Sequence, residues 1–156
     1  MAGQGAQWLE LEGELITAIE AITPNHDTTH PFKWRNHKTQ AGAMDIRASA
    51  GATRLFQFTP PPPDVPNFTI GHTSRHKLLR VDLQVIYPGG PIWAVYAADD
   101  ADKISHTLRS SAFSYADFVN PSLDEGSATL DPIDDEDGGA SGWVLTVPFI
   151  APIQVS

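Results

Sequence analysis

The chain has 156 residues, of which 41% are hydrophobic, and it carries a formal charge of −9 and no cysteine. This length and apolar content predict one domain with a sizeable core, and the lack of cysteine excludes disulfides and thiolate chemistry. The acidic excess argues against general nucleic-acid binding, because contacts with phosphates need clustered cations. No run approaches the roughly 20 apolar residues of a membrane span, and the N-terminus has no leader pattern, so we expect a cytoplasmic protein with no membrane partner.

The N-terminal segment has the spacing of an amphipathic helix. Its apolar residues recur every three or four positions: Trp8, Leu11, Leu15, Ala18, Ile19 and Ile22. A stripe of this kind buries one face of a helix against a core. Pro24 is expected to end the helix, because proline has no N–H to donate within a helix.

The next fifty residues are poorly periodic. They predict short strands at residues 32–34 and 54–59, with a mobile loop at residues 40–52 between them. The run PPPPDVP, residues 60–66, excludes a helix or a central strand and predicts an extended polyproline connector. A further short edge strand is expected within residues 67–74.

The stretch HKLLRVDLQVIYPGG, residues 76–90, carries the clearest pattern in the chain. One register of alternate residues is apolar: Leu79, Val81, Leu83, Val85 and Tyr87. The other register is polar in its middle and apolar at its ends, Leu78 and Ile86. Since successive side chains of a strand point to opposite faces, the pattern predicts a strand roughly 30 Å long with one apolar face. The two apolar ends of the polar face need a cover.

The C-terminal half predicts a turn, a helix and a closing strand. PGGP, residues 88–91, marks the turn, and the helix is predicted over residues 99–111. Residues 120–142 are predicted to form an acidic loop region with a short strand at residues 127–133. The alternation in WVLTVPFIAPIQV predicts the last strand, in which Pro148 favours an edge position or a bulge.

The order of these elements predicts an α+β fold. We expect residues 1–156 to form a single domain, an antiparallel or mixed sheet of about four to six strands with two helices packed on one face. The residues predicted to share the core are Leu11, Leu15, Leu79, Val81, Leu83, Val85, Ile104, Leu108, Leu145 and Val147.

Charge is segregated along the chain. All ten lysines and arginines lie between Lys33 and Arg109, together with six acidic residues. Residues 1–32 and 110–156 carry five and eight acidic residues and no lysine or arginine. A solvated acidic surface accounts for this layout, and so do complementary charged surfaces between copies or partners.

Six histidines raise the question of a metal site. The pairs His26/His30 and His72/His76 have the spacing that places two ligands on one helical face. Neither pair falls in a predicted helix, and no cysteine completes a ligand set. We therefore expect no metal, no cofactor and no enzymatic activity. A small cytoplasmic metal-dependent enzyme and a polyproline-bearing adaptor remain the alternatives of other classes.

Four aromatic residues stand outside the periodic core pattern: Phe32, Trp34, Phe68 and Trp93. Aromatic residues of this kind suggest contact with another chain. They are equally consistent with capping the ends of a single sheet.

The order of parts resembles the tail terminator proteins of long-tailed bacteriophages. The likeness comes from the N-terminal helix, the strand LLRVDLQVIYP, the helix DADKISHTLRSS and the closing strand WVLTVPFIAP. It lies mainly in residues 78–152 and rests on element order and hydrophobicity, without an invariant signature. The likeness does not extend to the insert TPPPPDVP or to residues 36–75 around it.

The resemblance implies a structural virion protein of the tail and neck, present in the host cytoplasm during assembly. Copies would form a ring of six at the head-proximal end of the tail tube, where the ring ends tube polymerisation. The implied partners are other copies of the chain, the tail tube protein and the head–tail connector proteins, and DNA passes through without specific binding. Another neck, tail-completion or tail-tube subunit is the alternative within this class.

A ring also implies where the contacts lie. The expected subunit-interface residues are Phe32, Trp34, Leu78, Ile86 and Trp93, with a neighbouring copy covering the ends of the long strand. The expected lumen-facing acidic loop consists of Asp134, Asp135, Glu136 and Asp137, because like charge repels passing phosphate. No catalytic, cofactor-binding or metal-binding residue is expected.

Overall fold

In a computed structural model of the protein, the described residues are 4–35, 51–59, 68–69, 76–110, 122–123, 128–134 and 140–154. Within them the chain forms two helices and seven strands in a single mixed sheet. The elements are α1 (Gln4–Glu20), β1 (Lys33–Trp34), β2 (Leu55–Thr59), β3 (Phe68–Thr69), β4 (His76–Pro88), α2 (Pro91–Ser110), β5 (Ser122–Leu123), β6 (Thr129–Asp134) and β7 (Ala140–Gln154). The α+β fold class is confirmed.

The sheet is built around the pair β4 and β7. All 13 residues of β4 pair antiparallel with β7, from His76↔Gln154 to Pro88↔Gly142. β2 and β3 lie on the other side of β4, β6 and β5 lie on the other side of β7, and β1 pairs parallel with β2. The predicted long strand therefore exists, and it is a central strand of the sheet.

The predicted alternation of β4 is confirmed for residues 81–88, the part of the strand whose side chains are described. Its apolar register faces both helices, and one buried cluster contains Leu15, Ile19, Val81, Leu83, Val85, Tyr87, Ile104, Leu108, Leu145 and Val147. The side chains of Leu11 and Leu79, also predicted for the core, lie outside the described residues. Both helices pack on one face of the sheet, as predicted.

The opposite face of the sheet carries a polar row. Gln57 Nε2 donates to Gln84 Oε1 at 3.2 Å, and Thr59 Oγ1 donates to the same oxygen at 3.1 Å. Arg35 Nη1 donates to Gln57 Oε1 at 3.2 Å, which extends the row to the end of β1. These bonds join three neighbouring strands by side chains, in addition to the backbone ladder.

The apolar end of the same face is covered from within the subunit. Ile86 is fully buried in a second cluster with Ile133 and Val144, and Ala52 and Leu55 pack against them. The prediction that a neighbouring copy covers Ile86 is therefore wrong. Its cover comes from β6, β7 and residues near the start of β2.

Helix α2 begins eight residues earlier than predicted. Pro91 opens it, since the fixed φ of proline and its missing N–H suit the first helical position. Gly90, at φ 113°, supplies the turn before it. Asp99, Asp100 and Asp102, which were predicted near the helix start, lie in its middle instead.

Other differences concern the C-terminal region. Residues 120–142, predicted as a loop region, include β5 and the beginning of β7, whereas the short strand predicted at residues 127–133 is confirmed as β6. Pro148 lies within a central strand, so the predicted edge position is wrong for β7 as a whole. Within residues 140–154, however, β6 pairs up to Thr146 and β5 from Phe149, so Pro148 lies between the two partners. The polyproline connector, residues 60–66, and the expected loop at residues 40–50 lie outside the described residues.

Candidate interaction surface

A buried arginine organises the end of the subunit where β2 begins. Arg54 has a left-handed backbone conformation, φ 54°, and its N–H donates to the carbonyl of Ile86 at 2.8 Å. Its side chain is fully buried. Its Nε donates to Asp100 Oδ2 at 2.7 Å, and Nη2 lies 3.5 Å from Oδ1 of the same carboxylate.

The rest of the guanidinium holds the loop that follows α1. Nη1 donates to the carbonyls of Asp27 and His30 at 2.7 and 3.1 Å, and Nη2 donates to the carbonyl of His26 at 2.7 Å. An arginine side chain has five N–H donors, and each has an acceptor here. Arg54 therefore ties the loop, β2 and α2 together and has no donor left for a ligand.

Tyr87 completes this Arg54 cluster (Arg54, Asp100 and Tyr87). Its hydroxyl donates to Asp100 Oδ2 at 2.9 Å. Burial raises the pKa of the Tyr87 hydroxyl well above its ordinary value, and the adjacent Asp100 carboxylate raises it further. The phenol is thus kept neutral and donates a hydrogen bond to the Asp100 carboxylate. A buried carboxylate needs such donors because burying a charge without hydrogen bonds is costly.

Two of the aromatic residues predicted for the interface lie beside the Arg54 guanidinium. The rings of Phe32 and Trp93 each lie with their centroid 5.8 Å from the Arg54 guanidinium carbon. Phe32 is buried in the core, so the prediction that it lies at a subunit interface is wrong. Trp93 is half-buried, and its ring also contacts Tyr87 and Tyr96.

The remaining residues predicted for the interface lie at separate places in the sheet. Trp34 is half-buried, with its ring centroid 5.6 Å from those of both Phe56 and Phe58. Leu78 pairs through its backbone with Phe68 and Pro152, and its side chain lies outside the described residues. The predicted set is not brought together into one exposed patch.

The acidic loop falls mainly outside the described residues. Asp134 is the last residue of β6 and pairs with Ala140 across an irregular step in the ladder. Asp135, Glu136 and Asp137 are not among the described residues. The expectation that this loop faces a lumen stays a prediction.

The outer edges of the sheet are poorly suited to strand addition. In β1, Lys33 and Arg35 donate toward β2, so the N–H of Trp34 points outward. The carboxylate of Glu20, the last residue of α1, accepts that N–H at 3.1 Å. An added strand would have to displace this carboxylate, and charged groups at an edge oppose such pairing.

Prolines protect the other side of the sheet. The carbonyl of Ile86 points toward β2, and peptide groups alternate along a strand, so the odd-numbered residues of β4 bond to β7. The register Leu83↔Val147 then directs the nitrogens of Pro148 and Pro152 away from β4. The register Asp131↔Val144 directs the nitrogen of Pro132 away from β7. Because proline has no N–H, these edges offer few donors to another strand.

Helix α2 exposes apolar residues on its outer side. Ile92 is 52% and Val95 60% exposed, and they are the large exposed hydrophobic residues among the described side chains. Asp99 and Asp102 continue the same stripe at helical spacing, with Asp102 exposed. We call these four residues the α2 stripe. The sequence pattern did not indicate its apolar end, because the helix was expected to begin only at residue 99.

An open cleft of about 430 Å³ lies beside the acidic end of the α2 stripe, between α2 and the segment that follows α1. The Lys103 ammonium donates to the Thr23 carbonyl at 2.6 Å, and Asn25 Nδ2 donates to Asp99 Oδ2 at 2.8 Å. The cleft is lined by Ile22, Thr23, Asn25, Asp99, Asp102, Lys103, His106 and Thr107. The bonds from Lys103 to Thr23 and from Asn25 to Asp99 cross the cleft, so they attach the loop to α2.

The predicted histidine pairs do not come together with other ligand residues in the described part of the chain. His30 Nδ1 contacts Asp27 Oδ2 at 2.9 Å, and the ring of His26 stacks on Tyr96 at 4.7 Å. Among the described residues, no group of three or more histidine, aspartate or glutamate side chains is arranged to hold a metal ion. His72 and the side chain of His76 are outside those residues.

No protein-family model matches the sequence, and a search of curated proteins finds none that is similar to it. In the described part of the chain, no helix combines the length and the apolar character required of a membrane span.

Proposed function

We propose that this protein is a structural subunit of a long-tailed bacteriophage that forms a ring at the head-proximal end of the tail tube. Its ring would end tail polymerisation and join the tail to the head connector proteins. DNA would pass through the lumen without specific binding. The observation that carries the proposal is the exposed apolar end of the α2 stripe, Ile92 and Val95, which lies outside the buried cluster formed by the described residues.

Neighbouring exposed apolar residues are a recognised mark of a surface that contacts another protein. The strand edges blocked by the Glu20 carboxylate or by prolines support the same conclusion, since they leave the faces of the subunit for association with another chain. Face-to-face contact between different surfaces of identical subunits closes into a ring when the rotation divides a full turn. The phage assignment itself is supported by the resemblance in element order, from β4 through the proline-bounded turn and α2 to β7.

Imaging of virions tests this assignment. We expect a reconstruction of the particle to show one ring-shaped layer of this chain between the tail tube and the head connector. Layers repeated along the tube would make it a tube protein instead. Absence of the chain from purified virions would overturn the structural role.

A further inference from the structure

We propose that the α2 stripe of one copy docks on the β1–β2 corner of a second copy, formed by Lys33, Ala52 and Leu55. This proposal rests on the ring function above and identifies its contact surfaces. The two surfaces differ, so the contact is head-to-tail, which is the type that generates rings.

The α2 stripe presents two kinds of chemistry in order along the helix. Ile92 and Val95 form an apolar end, and Asp99 and Asp102 form an acidic end one to two turns later. The Asn25 amide already bonds Asp99, whereas Asp102 lies exposed at the end of the stripe. A matching surface therefore needs an apolar patch beside a cation.

The β1–β2 corner has this combination. Lys33 pairs with Leu55 across the parallel strands, so both side chains lie on the sheet face opposite the helices. Leu55 and Ala52 are half-buried, which leaves apolar surface next to the lysine. Complementary charge of this kind orients two surfaces and selects the correct partner.

The choice of Lys33 follows from the other cations whose side chains are described. Arg35 and Arg54 are buried, and the Lys103 ammonium bonds the Thr23 carbonyl, whereas Lys33 is exposed. Strand addition is the obvious competing contact. The Glu20 carboxylate on the β1 edge opposes it, which leaves the side-chain surface of the corner as the accessible part.

Because the natural chain has no cysteine, introduced cysteines report the contact without background. We would purify the full chain with Lys33→Cys and Asp102→Cys together and oxidise it at high protein concentration, where the apolar part of the contact brings the two positions together and the disulfide takes the place of the charge pair. The expected product is a ladder of disulfide-linked oligomers that stops at a fixed number of copies. Each single variant is expected to stay monomeric, because in a head-to-tail contact neither position meets its own counterpart.

The matched control combines Asp102→Cys with Asp131→Cys, since Asp131 is an exposed residue of β6 at the far side of the sheet. Equal thermal melting of all variants under reducing conditions establishes that they are folded. A ladder no stronger than that of the control would overturn the proposal. Efficient dimerisation of Asp102→Cys alone would also overturn it, because this product indicates two α2 helices packed on each other. A disulfide between the two cysteines of one chain would overturn it as well.

These outcomes are separate from those of the imaging experiment. A missing ladder removes this pair of contact surfaces and leaves a ring in the virion to be explained by others. A ladder from a protein that is absent from virions supports the contact and rejects the phage role.

Discussion

Helix α2 reverses the usual distribution of residues between its inner and outer sides. On the inner side, Asp100 is 1% exposed, although a buried carboxylate is costly. On the outer side, Ile92 and Val95 remain in contact with solvent. The inner charge is stabilised by hydrogen bonds from Arg54 and Tyr87, whereas nothing in the described subunit covers the outer apolar pair.

The comparison shows that the two sides serve different ends. The Arg54 cluster joins the loop, the sheet and the helix, and its removal should be felt in stability. The α2 stripe adds little to the stability of the isolated subunit, and its removal should be felt in association. Substitutions on the two sides should therefore change different measured properties.

Arg54→Met should have the largest effect. It removes the Arg54 donors from the buried Asp100 carboxylate and from the carbonyls of the 26–30 loop, and removing one partner of a buried ion pair costs about 3–5 kcal/mol. Urea unfolding followed by circular dichroism measures the change. Lys33→Met, the removal of an exposed lysine, is the control and should stay within about 0.5 kcal/mol. A loss for Arg54→Met as small as that for Lys33→Met would mean that the Arg54 cluster does not stabilise the fold.

Tyr87→Phe should have an intermediate effect. It removes one hydrogen bond to a charged acceptor, which contributes about 1.5–3 kcal/mol, while Arg54 still bonds Asp100. Since the pKa of the hydroxyl is raised on folding, its contribution is present below the unfolded value of about 10 and is lost as pH rises above it. Unfolding measured between neutral and alkaline pH should show this loss in the wild type and not in the variant. A parallel decline in both proteins would contradict the assignment.

Asp27→Asn should give a smaller change that depends on acidity. The Thr29 hydroxyl, and after it His30, lower the pKa of the Asp27 carboxyl. A carboxylate with a lowered pKa stabilises the fold above its unfolded value of about 3.9, and this contribution is lost as pH falls through the folded value. Asparagine tolerates the left-handed φ of 50° at this position. The variant should melt below the wild type at neutral pH, and the difference should disappear in acid; a difference independent of pH would contradict the prediction.

Ile92→Ser with Val95→Ser should have the smallest effect on folding. Both side chains are exposed, and such substitutions change stability by at most about 0.5 kcal/mol each. The double variant should fold normally and yet give a weaker disulfide ladder on the Lys33→Cys and Asp102→Cys background. Ile104→Ser, on the buried side of the same helix, is the matched control and should be strongly destabilising. An outer double variant as unstable as the control would mean that the subunit itself buries these residues.

Much of the fold was predictable because alternation and helical spacing are local properties. The side chains of Val81, Leu83 and Val85 point to one face whatever the strand pairs with, so the core could be assigned from their spacing. The same local rules misplaced the start of α2, because the turn-forming PGGP run hides the preference of Pro91 for the first helical position.

The candidate surface was only partly predictable, because exposure depends on neighbours that are remote in the sequence. Aromatic residues in poorly periodic segments, Phe32 and Trp93 among them, pointed to an interface. Arg54 draws both rings toward the interior of the subunit. The exposed pair, Ile92 and Val95, was missed because residues 91–98 were not expected to be helical, so the spacing of the pair with Asp99 and Asp102 did not mark one helix face.

The α+β class, the long strand and the buried face of each major element follow from residue spacing, since backbone geometry ties spacing to direction. The partner of Arg54 does not follow from spacing. Asp100 lies 46 residues further along the chain, and the two meet only because β2 pairs with β4 and α2 packs across that pair. The cover of Ile86 by Ile133 and Val144 has the same origin. Such contacts depend on which strands become neighbours, which no local pattern encodes.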